Sequence, residues 1–143
     1  MSSKINTSPR KLGECLYPAK FGNFCHRPGI AELGGLCYWH SPCPKTREKF
    51  IEEHETGGSF EGVVIEGINL SNLNLHCAEF RGFTAHLCTF DNSDLSRSFM
   101  DMAIFTGCNF MHTDLNVIQV RVHEIYQLHF IWSKLGGSRF TEC

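Results

Sequence analysis

Cys15, Cys25, Cys37 and His40 are the residues whose types and spacing suit metal chemistry, arranged as C-x9-C-x11-C-x2-H. Zinc takes four thiolate or imidazole donors in a tetrahedron, and three cysteines with one histidine make a closed structural set. Cys37-Tyr38-Trp39-His40 is the tight chelating end, and Gly34-Gly35 before it supplies a close turn. The expected ligands are Cys15, Cys25, Cys37 and His40, and the expected cofactor is structural Zn2+. Cys43 and His26 are spare donors. Cys43 could replace His40 by a shift of three residues. His26 directly follows Cys25, and two adjacent residues reach one ion with poor geometry. The spacing resembles short zinc-knuckle modules in general.

The elements that must hold these donors follow from composition. The chain has 143 residues, 42 % apolar and 20 % charged, with a formal net charge of −2. That composition is ordinary for a folded domain and excludes a wholly disordered chain or a strongly basic nucleic-acid binder. No apolar run is long enough for a transmembrane helix, and Met1 to Arg10 is too polar for a secretory signal. A cytoplasmic location with reduced thiols is expected. Residues 1–43 are too short and too rich in Pro and Gly to bury a core, so a metal would act as their staple. Residues 44–57 read as a short helix, with Pro44 at its first position and Gly57 or Gly58 after its end. Its expected task is to cap the apolar repeat that begins near Phe60.

From Phe60 to Phe140 every fifth residue is apolar. The residue two before each centre is mostly small or apolar. The residue one before is often Asn, Asp or Thr, as at Asn69, Asn74, Thr89, Asp94, Asn109 and Asp114. A period of five fits neither a helix nor a flat strand, so the chain must turn once per repeat. Asn, Asp and Ser supply such turns through local side-chain hydrogen bonds.

Residues 58–143 resemble the pentapeptide-repeat family on this pattern. The resemblance implies an all-β fold, a right-handed quadrilateral β-helix of about four coils with four repeats per coil. Centres twenty apart should then stack, giving Leu75, Leu95, Leu115 and Leu135 on one face and Leu70, Phe90, Phe110 and Phe130 on another. A third face reads Phe60, Phe80, Met100, Val120 and Phe140, and the last Ile65, Ala85, Phe105 and Ile125. Glu61, Arg81, Asp101 and Arg121 alternate in sign at outward positions, which predicts an exposed ladder of ion pairs. Cys88 and Cys108, twenty apart, read as neighbouring small core residues.

No phosphate loop and no G-x-S-x-G elbow occurs in the sequence. His76, His86, His112, His123 and His129 are scattered over the repeat and form no catalytic arrangement. The chain therefore reads as a non-enzymatic protein-interaction or scaffold module. Its expected contact surface is an outward apolar patch of Phe99, Ile104, Met111, Tyr126, Ile131 and Trp132. The partner is a protein the sequence does not name, and the C-terminal repeats suggest a homodimer. Two alternatives remain open. Some members of the family mimic DNA and act on gyrase, but residues 58–143 carry nine acids and five bases, only 9 − 5 = 4 net negative charges. Nucleic-acid binding through the N-terminal module is disfavoured by the weak charge of residues 1–57, which carry eight bases and six acids.

Overall fold

A computed structural model describes residues 10–18, 24–119, 129–131 and 139–142. The chain divides into two compact units, Met1–Cys43 and Pro44–Cys143.

Among the described residues of the first unit there is little regular structure. Single antiparallel bridges join Glu14 to Pro28 and Ile30 to Leu36, and one-turn 3-10 segments span Ala31–Leu33 and Tyr38–His40. Gly34 and Gly35 turn the chain with φ of 69° and 81°, a region open to glycine and strained for most other residues. The turn brings Gly35 back to the extended stretch after Cys15, where Leu16 N donates to Gly35 O at 3.0 Å.

The second unit opens with helix α1 (Arg47–Glu55). Thr46 caps it by accepting from Lys49 N at 3.3 Å. The helix thus starts after Thr46, and Pro44 is not its first residue as the sequence suggested. Phe50 is the one buried residue on α1, and its ring lies flat on Phe60 at 4.1 Å.

Beyond α1 the five-residue step has a direct backbone cause. Every fifth residue from Gly62 to Val117 has positive φ: Gly62, Gly67, Asn72, Cys77, Gly82, Leu87, Asn92, Arg97, Met102, Gly107, His112 and Val117. Each turn lies two residues after an apolar centre. Asn69, Asn74, Asp94 and Asp114 fold back as anticipated. The Oδ1 of each accepts the backbone N–H two residues on, at 3.0, 3.2, 2.9 and 3.0 Å. The centres Phe60, Ile65, Leu70, Leu75, Phe80, Phe90, Leu95, Phe105 and Phe110 point inward and are fully buried.

These short steps make short strands. β1 (Val64–Glu66), β2 (Thr84–His86) and β3 (Ile104–Thr106) pair in parallel, with Ile65 beside Ala85 and Ala85 beside Phe105. β4 (Asp114–Ile118) pairs with β6 (Arg139–Glu142), and β5 (His129–Ile131) adds to β3.

The all-β, four-coil quadrilateral β-helix expected above is not what forms. Among the described residues, strand pairing is confined to one small parallel sheet, in the order β1-β2-β3-β5, and the β4–β6 pair. The other positions along the repeat carry only isolated bridges, such as Asn74 to Asp94 and Glu79 to Phe99. A turn at every fifth residue leaves at most a few extended residues between turns, so continuous walls of strand do not develop. The twenty-residue register also ends at β3. Phe105 pairs with Phe130 and not Ile125, and Leu115 pairs with Phe140 and not Leu135. β3 and β4 thus pair with residues twenty-five further along instead of twenty, and the expected fourth member of two stacks is replaced. Ile125 and Leu135 themselves lie outside the described residues.

The charged ladder is corrected as well. Glu61, Arg81 and Asp101 are buried rather than exposed, and Arg121 lies outside the described residues. Arg81 Nε stands 3.5 Å from Asp101 Oδ2, its Nη1 stands 3.9 Å from Glu79 Oε2, and its guanidinium covers the Phe99 ring at 4.9 Å. Phe99 offers the flat apolar surface that takes this arginine out of water.

Candidate metal centre

Three short segments deliver the four donors. Cys15 starts an extended stretch anchored by its own N–H to Arg27 O at 2.9 Å. Cys25 precedes Arg27, which supplies that carbonyl. Cys37 and His40 flank a single 3-10 turn, with His40 N donating to Cys37 O at 3.2 Å. One tight turn folds the histidine back over the cysteine, which is why a C-x2-H spacing chelates.

The side chains converge. Cys25 Sγ and Cys37 Sγ are 3.8 Å apart, Cys15 Sγ and His40 Nδ1 3.5 Å, and Cys37 Sγ and His40 Nδ1 3.4 Å. All four donor atoms lie within 4.8 Å of one another, and the three cysteines are buried. Zinc–sulfur bonds of about 2.3 Å and zinc–nitrogen bonds of about 2.0 Å, set tetrahedrally, separate donors by about 3.5–3.8 Å. The short edges of the cluster match that tetrahedron. The residues present therefore fit a four-coordinate metal.

Hydrogen-bond donors approach two of the sulfurs. Cys37 N donates to Cys15 Sγ at 3.1 Å, and Arg27 Nη1 approaches Cys25 Sγ at 3.7 Å. The neighbouring Cys37 thiol pulls Cys25 below the ordinary thiol range against the opposing effect of burial. Cys37 is pushed up in return, first by that same contact and then by burial. Two thiols this close share one proton, and a bound cation would displace it.

The spare donors do not join. His26 Nδ1 pairs instead with Glu14 Oε2 at 2.8 Å, and Cys43 stands outside the group while its N–H donates to Ser41 Oγ at 3.4 Å. His40, not Cys43, is the fourth donor of the cluster. Sequence reasoning missed two supporting residues, Arg27 and Tyr17. The Tyr17 ring stacks on His40 with centroids 3.8 Å apart and planes 6° from parallel. The signal was available as C-x-Y: residues two apart in an extended stretch share a side.

Outside this centre, His76, Cys88 and Cys108 are committed elsewhere. His76 Nδ1 lies 2.9 Å from Ser96 Oγ, but that hydroxyl donates to Asp94 Oδ1 at 2.5 Å, so no activated serine results. Cys88 and Cys108 are buried beside each other, and their contact pulls Cys88 down and pushes Cys108 up. Cys108 Sγ also approaches Ala85 O at 3.5 Å.

The residues of the expected contact patch fall in different settings. Ile104 is exposed, Met111 is half-buried and Phe99 is buried under Arg81. Ile131 lies in β5, opposite Thr106. Its side chain is outside the described residues, as are Tyr126 and Trp132. Among the described residues of this unit, the exposed large apolar side chains are Val64, Leu87, Met102 and Ile104. Val64 and Ile104 lie on β1 and β3. Met102 and Leu87 sit at the positive-φ turns before β3 and after β2.

Among the described residues, no helix is long and apolar enough to cross a membrane. Comparison of the chain with family models, curated proteins and solved structures gives no match.

Proposed function

We propose that the chain is a non-enzymatic interaction or scaffold module whose first unit is held together by a structural zinc ion on Cys15, Cys25, Cys37 and His40. The observation that carries this reading is the convergence of three sulfurs and one imidazole nitrogen within 4.8 Å of one another. Four protein donors fill the coordination shell of zinc, which leaves no position for a water or substrate and favours a structural role over a catalytic one. Thiolate and imidazole donors favour zinc over calcium or magnesium, which prefer oxygen. The apolar residues on and beside β1–β3 support an interaction role for the second unit, because clustered exposed apolar side chains mark contact surfaces.

Chelation tests the reading. Stripping metal from the full chain should collapse the amide dispersion of residues 10–43 in a 1H–15N spectrum, and zinc should restore it. A first unit that keeps its spectrum without metal would contradict a structural role.

A further inference from the structure

The zinc reading leaves open how a histidine with two usable nitrogens presents one of them. We propose that Tyr17 is a positioning residue that holds the His40 ring so that Nδ1, and not Nε2, ligates the metal; this rests on the metal reading above. Both short histidine contacts in the cluster are made by Nδ1, at 3.5 Å to Cys15 Sγ and 3.4 Å to Cys37 Sγ. His40 has the short reach of a single 3-10 turn from Cys37, so the ring nitrogen nearer the backbone arrives first. Nothing in that turn alone fixes the ring plane, because the imidazole torsion is broad and roughly two-fold.

The neighbouring tyrosine supplies the missing constraint. Its ring lies 6° from parallel to the imidazole at a centroid distance of 3.8 Å, which blocks rotation of the imidazole plane on that side. The tyrosine is itself fixed. Cys15 and Tyr17 are buried while Leu16 between them is 52 % exposed, the alternation of an extended segment. Backbone bonds from Cys15 N to Arg27 O and from Leu16 N to Gly35 O pin that segment. One stretch thus brings both a ligand and the residue that orients another ligand. The arrangement is a supporting contact of the kind that tunes metal affinity by about 10–100-fold.

The test uses the zinc-loaded full chain and three variants, with affinity measured by competition against a chromophoric chelator. Long-range 1H–15N correlations of His40 report which nitrogen binds zinc. The wild type should show zinc on Nδ1 and the proton on Nε2. Tyr17→Phe keeps the flat ring and should retain both the signature and the affinity. Tyr17→Leu keeps an apolar side chain without the flat ring, and Tyr17→Ala removes the bulk. Both should weaken zinc binding by about 10–100-fold and give a mixed or Nε2-bound histidine. Tyr17→Leu with wild-type affinity and a single Nδ1 signature would overturn the proposal even if Tyr17→Ala fails to fold. A wild-type chain that takes up no zinc would overturn the metal reading itself, and the proposal with it.

Discussion

Phe50→Ala should cost the second unit about 3–5 kcal/mol, because it empties the one buried position on helix α1. The magnitude follows from the packing. The Phe50 ring is fully buried, flat on Phe60 at 4.1 Å and 3°, and within 6.3 and 6.4 Å of the Phe80 and Phe83 rings. Burial of a phenylalanine contributes about 1.5–3 kcal/mol, and a stacked pair adds about 0.5–1.5 kcal/mol. The cavity left above Phe60 accounts for the remainder, unless α1 detaches and lets water in. Detachment has its own signature, since hydrogen exchange would then rise across Arg47–Glu55 before the rest of the unit opens. Urea titration followed by circular dichroism measures the loss, with Phe50→Leu expected to fall between the two and Glu52→Ala, on the exposed side, within about 0.5 kcal/mol of wild type. A loss under about 1 kcal/mol for Phe50→Ala, with α1 exchange unchanged, would refute the view that this ring closes the apolar core.

The turn geometry makes a second prediction. Gly67 has φ of 66° and open space where a Cβ would stand, so Gly67→Ala should lose about 1–2 kcal/mol from backbone strain alone; Gly107→Ala should lose more, since its Cβ would meet Leu87 Cδ2 at 2.9 Å. Equal losses in urea titration would show that the side-chain contact relaxes freely. Burial raises the Glu79 carboxyl above its usual range, against the pull of Arg81. The folded state therefore holds the proton more tightly than the unfolded one, and stability is lost as pH rises from the unfolded value of 4.5 towards the raised folded one. Glu79→Gln should remove that slope in urea titrations, and a slope that persists would assign it to another group. Burial acts on His54 in the opposite sense, holding it neutral. Its contribution is present above the unfolded value of 6.5 and falls away as pH drops below it, and His54→Gln should flatten that part of the profile.

The clustering of the four donors was the most legible part of the sequence because a C-x2-H pair and two more thiols constrain one another chemically, whatever the backbone between them does. The alternatives fell to local geometry. His26 was drawn off by Glu14, a partner twelve residues away that spacing does not reveal. The apolar centres were equally plain in the second unit, and so were the turns at Asn69, Asn74, Asp94 and Asp114. The turns at Leu87, Arg97, Met102 and Val117 were not, because these residue types carry no preference for positive φ and are held there by the repeat around them. The pairing offset was misjudged past Gln119. A repeat of five is compatible with offsets of twenty or twenty-five residues, and the pairings of Phe105 with Phe130 and Leu115 with Phe140 distinguish them. Glu61, Arg81 and Asp101 were misplaced at the surface because alternating charge reads as solvated. The Phe99 ring that shelters the arginine lies eighteen residues further along the chain.

The central claim is that the four donors hold zinc. Elemental analysis by mass spectrometry on the full chain, purified reduced and without added metal, tests it directly when paired with Cys37→Ser. The account predicts about one zinc per chain, lost in the variant. Fresh reduced protein that carries no zinc, or a Cys37→Ser chain that retains it in full, would contradict the claim.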